Sequence, residues 1–315
     1  MLIDSLADQR GVSQDQVKSW TDYPGGAPAN VACGLSKLGT SAGFIGCLGD
    51  DQWGQDLKRL LERTEVNTQG LQIHPTAPTR RIWVLRSLVG ERIFAGFAGG
   101  YASDQFADTQ LQAKHVPLPL IAEADYLVTG TLLCAYPISK SAVFRAIDLA
   151  KQSGCKVVLD INWRPIFWSD PIQARSQIFE LIQQADFLKL SEEESDWLLA
   201  TTDVSTIAQQ FPDLQGVFMT AGEKGCNYWL EGQQGSVPAF PVQVIDTTGA
   251  GDSFVAGLLH QFCQSGREHP PTAAWARQVV TYACAVGALT TKQAGAIGAQ
   301  PTGAEVESFL QKQNG

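Results

Sequence analysis

From residue 125 onward the chain alternates between short apolar runs and amphipathic stretches, and few architectures accept that rhythm. Tyr126-Leu127-Val128, Lys156–Asp160, Phe187–Leu190 and Gly216–Thr220 read as strands. Ser139–Gln152, Ile172–Gln184 and Glu192–Ala200 read as the helices between them. Strands this apolar must be covered on both faces. The expected fold is therefore α/β, a doubly wound, mostly parallel sheet with helices on both faces. Ligands gather at the carboxyl ends of the strands in such a sheet. Asp160, Asn162, Arg164, Glu194 and the Thr220–Gly225 loop all fall at or just after such ends.

A further stretch has the same grammar. Pro241–Ile245 reads as a short extended segment, with Val242, Val244 and Ile245 apolar. Gly249-Ala250-Gly251 then makes a tight turn open only to small residues. From Asp252 the apolar residues Phe254, Leu258 and Phe262 recur at helical spacing. Strand, glycine turn and helix put unpartnered N–H groups and the positive end of a dipole at one point, where an anion such as phosphate can bind. Asp252 adds a carboxylate at that point. It is either an acceptor for a hydroxyl proton, as phosphoryl transfer to an alcohol needs, or simply a helix cap. No G-x-x-x-x-G-K-[ST] loop and no G-x-G-x-x-G between strand and helix is present, so the Gly249–Asp252 turn is the candidate for binding ATP.

The first third is less regular. Met1–Asp4 looks like the tail of a strand whose beginning is missing, and residues 8–22 are polar and mixed. Ala27–Leu38 reads as a helix, with Pro28 in its first turn and Gly39 as its stop. Ala42–Leu48 reads as a strand and Asp51–Arg63 as an amphipathic helix. Residues 81–86 and 92–97 carry arginines on strand-like patterns, with Val89-Gly90-Glu91 as a hairpin turn. They are expected to form a small, half-exposed, separate sheet.

Composition narrows the class. A formal net charge of -9 disfavours a nucleic-acid partner. The longest candidate membrane run, Val279–Leu289, is too short to span a bilayer and reads as a buried helix. Seven cysteines without a C-x-x-C pair fit buried thiols in a reducing compartment. With no signal-peptide pattern at the start, a cytoplasmic enzyme is expected.

Several clusters stay open on residues alone. Gly25-Gly26 before Asn30 is either a hinge with a ligand-binding amide or a glycine loop with an incidental helix asparagine. Asp160-Ile161-Asn162-Trp163-Arg164 either lines a site or forms a salt-bridged turn. Glu192-Glu193-Glu194 reads as a solvated first helical turn, whose position after a strand makes one of the three a candidate for holding water-bound Mg²⁺. The histidines at 74, 115, 260 and 269 lack ligand spacing.

Asp246–Leu259 resembles the second signature of the ribokinase-like (PfkB) sugar kinases. Pro24–Ala32, with Leu38-Gly39 and Gly46–Asp51 behind it, resembles the first. Leu159–Arg164, Lys189–Glu194, Thr220–Gly225 and Pro301–Val306 also have family counterparts, so the resemblance covers nearly the whole chain. It implies one kinase domain over residues 1–315, with lid strands from about 5–24 and 79–101. The segments around 25–30 and 159–168 are most similar to fructokinases. The resemblance implies transfer from ATP to a primary hydroxyl, with fructose to fructose 6-phosphate the leading reaction. Asp252 would be the base, and Gly249, Ala250 and Gly251 the anion hole. Asp4, Gly26 and Asn30 would bind sugar hydroxyls, with Arg164 near the sugar or the phosphates. Thr220, Gly222, Gly225 and Ser191 would border the nucleotide. Glu194 would organise Mg²⁺ through water, and Asp246 and Thr248 match positions that hold a monovalent cation such as K⁺ in some members. The lid often also makes a homodimer. Ribose, 2-keto-3-deoxygluconate or a nucleoside are the alternative substrates, and a non-catalytic binding protein is the more distant alternative. Three departures stand out. The strand before Asp4 is cut short, so that either the start lies upstream or the central sheet is weakened. Ala98–Asp104 lacks the arginine that many fructokinases carry there, and Ser191 stands where many relatives have Asn.

Overall fold

A computed structural model describes residues 1–88, 92–168, 170–266 and 271–313. The hairpin turn expected at Val89–Glu91 lies outside them, as does His269. The chain opens with β1 (Leu2–Arg10) and β2 (Trp20–Gly25), followed by α1 (Ala27–Leu38), β3 (Gly43–Gly49), α2 (Gln52–Arg63) and β4 (Asn67–His74). Next come β5 (Arg81–Arg86), β6 (Arg92–Phe97) and α3 (Leu118–Ala122). The alternating half holds β7 (Tyr126–Gly130), α4 (Pro137–Ser153), β8 (Lys156–Asp160), α5 (Pro171–Ile182), β9 (Phe187–Ser191), α6 (Glu192–Leu199), α7 (Val204–Gln210) and β10 (Gly216–Thr220). It is completed by β11 (Cys226–Leu230), β12 (Gln233–Val237), α8 (Ala250–Ser265), α9 (Ala273–Thr290) and α10 (Gly303–Gln313).

Among the described residues the strands form three sheets. The largest runs β12-β11-β10-β9-β8-β7, parallel from β7 to β10 and closed by the antiparallel strands β11 and β12. One core of apolar side chains lies against each face. Ile147, Leu181, Leu188 and Val217 belong to the first; Val158, Phe218, Leu258 and Val280 belong to the second. The parallel pair β3–β4 stands beside this sheet, separated from β7 by an apolar cleft of about 330 Å³. No described helix is long and apolar enough to cross a membrane.

The small sheet, ordered β2-β1-β5-β6, is larger than the two arginine-bearing strands suggest. Instead of a strand tail at residues 1–4, β1 runs nine residues and pairs antiparallel with β2 and parallel with β5. Ile3, Ser5 and Ala7 are buried on one face of the strand and Leu6 on the other, and the buried Ser5 hydroxyl is satisfied by accepting from Arg81 Nε at 2.6 Å. Pro241–Ile245 is not a strand. The sheet already ends at β12, and Ile245 and Asp246 donate their N–H groups to the Thr291 carbonyl instead, at 2.8 and 3.2 Å. Val244 and Ile245 remain exposed.

Arg80 fastens the small sheet to the body. Its side chain is fully buried, and it donates to both carboxylate oxygens of Asp108 at 2.7 and 2.9 Å. It also donates to the Ser103 carbonyl at 2.8 Å, and its guanidinium lies 4.5 Å from the Phe106 ring centroid. Removing one member of such a pair strands a charge in the interior. Asp108→Ala is expected to cost about 3–5 kcal/mol in urea unfolding, and Arg80→Met with Asp108→Leu to recover most of it. Equal losses in single and double variants would contradict this account of the anchor.

Candidate active site

Helix α8 begins where the chain leaves its irregular approach. Gly249 sits at its N-cap with φ 74°, a left-handed conformation glycine adopts without a Cβ clash. Phe254, Leu258, Leu259 and Phe262 fix the helix in the core. Such side chains contribute about 1.5–3 kcal/mol each on burial, so the position of the first turn is set by packing rather than by its own polar contacts. Among the described residues, the N–H groups of Gly249, Gly251 and Asp252 meet no protein acceptor. The Ala250 N–H, expected to join those of Gly249 and Gly251 in the anion hole, donates to the Thr247 carbonyl at 3.2 Å.

Asp252 does not cap the helix. Its Oδ2 accepts from Asn30 Nδ2 at 2.7 Å, across 222 residues of chain. That bond answers the open question over Asn30, which is a buried bridge between α1 and α8 rather than an incidental helix residue. Gly26 opens α1, and Asn30 Oδ1 has no hydrogen-bond partner among the described residues. A buried orphan acceptor of this kind fits a hydroxyl donor. Burial, then the Asp160 charge, push the Asp252 carboxyl up, while the Asn30 amide, Lys189 and Arg164 oppose the rise.

Asp4 lies on β1 beside Gly25, where a Cβ would come 3.3 Å from its Oδ2. Burial pushes its carboxyl up to about 6 despite the positive charges of Arg92 and Arg164. The charge of Arg164 thus reaches both Asp4 and Asp252, and links the small sheet to the head of α8. The salt-bridged turn considered for 160–164 does not form. Arg164 donates to the Trp163 carbonyl at 2.8 Å, and Asp160 pairs with Lys189 on the neighbouring strand at 3.0 Å.

On the other side, register places Ser191 directly beside Thr220 at the carboxyl ends of β9 and β10. Gly222 and Gly225 bound a short turn after β10, in which Ala221 donates to the Gly225 carbonyl at 2.8 Å. Glu194 is more than a solvated first-turn residue. It forms a capping box with Ser191, taking the Ser191 N–H on Oε2 at 2.7 Å and the Trp163 N–H on Oε1 at 2.6 Å. Each oxygen keeps a lone pair for water. Asp246 is more heavily engaged. Its Oδ1 accepts from the Thr248 N–H and hydroxyl, and its Oδ2 from Gly295 N–H and the Arg92 guanidinium, at 2.6–3.0 Å. Burial works against its charge, but the Gly295 and Thr248 bonds and Arg92 win and hold the carboxyl below its usual range.

Residue reasoning gave Lys189 no role. The available signal was a lysine inside an otherwise apolar buried strand, where a charge needs a partner.

A carboxylate at a helix N-terminus beside free amides is an arrangement suited to phosphoryl transfer to an alcohol. Residues 1–303 match the family model described as "pfkB family carbohydrate kinase", and the chain belongs to that family. It is 37% identical over 318 residues to a probable fructokinase-2 of Arabidopsis thaliana, covering 99% of this chain and 94% of that protein. Among solved structures, a fructokinase with bound ATP from Xylella fastidiosa superposes with a TM-score of 0.88 at 30% identity, over 100% of this chain and 97% of that one. A fructokinase from Vibrio cholerae O395, solved with fructose, ADP and calcium ion, gives 0.82 at 30% identity, over 98% and 96% of the respective chains.

The raised Asp4 carboxyl carries its own consequence for stability. A group whose pKa is about 6 when folded and 3.8 when unfolded destabilises the fold while it is ionised, and that penalty fades as pH falls from 6 towards 4. Asp4→Asn is therefore expected to raise the melting temperature at pH 8, with the gain shrinking at pH 4–5. A gain independent of pH would contradict the assignment.

Proposed function

We propose that this protein is a fructokinase, transferring the γ-phosphoryl group of ATP to the 6-hydroxyl of fructose. The observation that carries the reading is Asp252, held by Asn30 at 2.7 Å beside the unpartnered N–H groups of Gly249 and Gly251. Asp252 accepts the proton of the primary hydroxyl as that oxygen attacks phosphorus in line. The amides of Gly249, Gly251 and Asp252 take up the charge developing on the phosphoryl oxygens. Ala250 serves mainly by its small size, since its own N–H is engaged with Thr247. Asn30 Oδ1, the Asp4 carboxylate and the Gly26 backbone receive the remaining sugar hydroxyls. Arg164 balances charge between sugar and phosphates. The nucleotide lies across Ser191, Thr220, Gly222 and Gly225 at the strand ends.

The small sheet would close over the sugar as a lid. Glu194 would hold Mg²⁺ through water, and the ion would supply positive charge that offsets the phosphates. The spare lone pairs on both Glu194 oxygens fit that role. The Asp246–Thr248 pair does not fit a monovalent cation in the same way. Four donors already surround the Asp246 carboxylate, and Arg92 supplies positive charge there.

Coupled measurement of ADP release with fructose, ribose, 2-keto-3-deoxygluconate and nucleosides tests the substrate, and fructose should give the highest kcat/KM. Asp252→Asn should keep the fold and lower kcat on the order of 10²–10⁴-fold. Near-normal turnover in that variant would remove Asp252 as the base.

A further inference from the structure

Beneath the first turn of α8 lies a buried ion pair that the mechanism above does not use. Lys189 and Asp160 face each other in register on β9 and β8, with side chains 9% and 5% exposed. Lys189 Nζ donates to Asp160 Oδ1 at 3.0 Å. A methyl group added to Gly251 would sit 3.0 Å from that same Nζ, so the ammonium lies directly against the turn proposed to bind the phosphoryl group.

The placement is expensive for the protein. A lysine at a helix N-terminus adds positive charge where the dipole is already positive. Buried ion pairs are often no more stabilising than apolar residues of the same volume, so stability alone does not account for one at this spot. Burial works against the ammonium, yet the carboxylates of Asp160, Glu194 and Asp252 hold its proton more tightly than usual.

We propose that Lys189, oriented by Asp160, is a positioning residue whose fixed positive charge beneath the Gly249–Gly251 turn serves both the transferring phosphoryl group and the Asp252 carboxylate. The inference deepens the kinase reading and rests on it for the phosphoryl half. The charged and polar groups facing Asp252 are Asp160 from β8, Lys189 from β9, Arg164 from the loop after β8 and Asn30 from α1. The two members of the pair act on Asp252 with opposite sign. Lys189 favours the ionised carboxylate and Asp160 disfavours it. A Cβ at Gly251 would have to displace the ammonium by a few tenths of an ångström.

The test compares Lys189→Met, Asp160→Asn and the double variant with the unchanged protein in kcat, KM for ATP and the pH dependence of kcat/KM for fructose. Lys189→Met should lower kcat on the order of ten- to a hundred-fold and move the acidic limb up by roughly one pH unit. Asp160→Asn should move that limb down, and the double variant, which buries no charge, should return it towards its original position. A carbon-13 titration of the Asp252 carboxylate, assigned by its absence in Asp252→Asn, reads the same opposed shifts without any substrate. It separates failure of this inference from failure of the fructokinase reading. If Lys189→Met does not fold, Asp160→Asn alone still decides by the direction of its shift. Shifts of the same sign in both single variants, or no shift of the Asp252 carboxylate, would overturn the proposal.

Discussion

One hydrogen bond ties together the two helices that frame the candidate site. Asn30 Nδ2 and Asp252 Oδ2 meet at 2.7 Å from helices that begin at opposite ends of the sequence. A carboxylate at the head of a helix would ordinarily turn inward to satisfy its own backbone amides. Here the Asn30 amide occupies one carboxylate oxygen, leaving the neighbouring N–H groups free and the other oxygen for a ligand. Everything that fixes α1 and α8 against the sheet therefore fixes the relation between the Asp252 carboxylate and the N–H groups beside it.

The second constraint is charge. With a net of -9, the protein cannot draw phosphates through its overall field. Positive potential is instead built locally, from the α8 N-terminus, from Arg164 and from Lys189 inside the sheet. Two of the cations near the site, Arg92 and Lys189, are each balanced by a carboxylate close at hand. Arg92 faces Asp246 at 2.6 Å, and Lys189 faces Asp160 at 3.0 Å. Arg80 and Asp108 apply the same pairing where the small sheet meets the body.

The legible parts of the sequence were those with local causes. The strands at 126–130, 156–160, 187–191 and 216–220 follow from apolar runs between amphipathic helices, and the start of α8 from its glycines. Strands β11 and β12 were not read, because Asn227, Gln233, Gln234 and Ser236 give an edge hairpin a polar pattern. The extended reading of Pro241–Ile245 failed for the converse reason. Its apolar residues had the right pattern, but the Ile245 and Asp246 N–H groups go to the Thr291 carbonyl rather than to a strand. In the site, Glu194 stood out by its position after a strand and Asp252 by the glycine turn that opens its helix. The Asn30–Asp252 bridge and the placement of Lys189 under Gly251 depend on contacts between distant segments, which no local pattern encodes. The saturation of Asp246 by Arg92 and Gly295 was hidden in the same way.

A crystal structure with fructose and a non-hydrolysable ATP analogue would test the central geometry most directly. The account places the sugar's 6-hydroxyl within about 2.6–3.2 Å of an Asp252 oxygen and the terminal phosphate on the Gly249 and Gly251 amides. A terminal phosphate bound away from the head of α8, or a fructose whose 6-hydroxyl points away from Asp252, would contradict it.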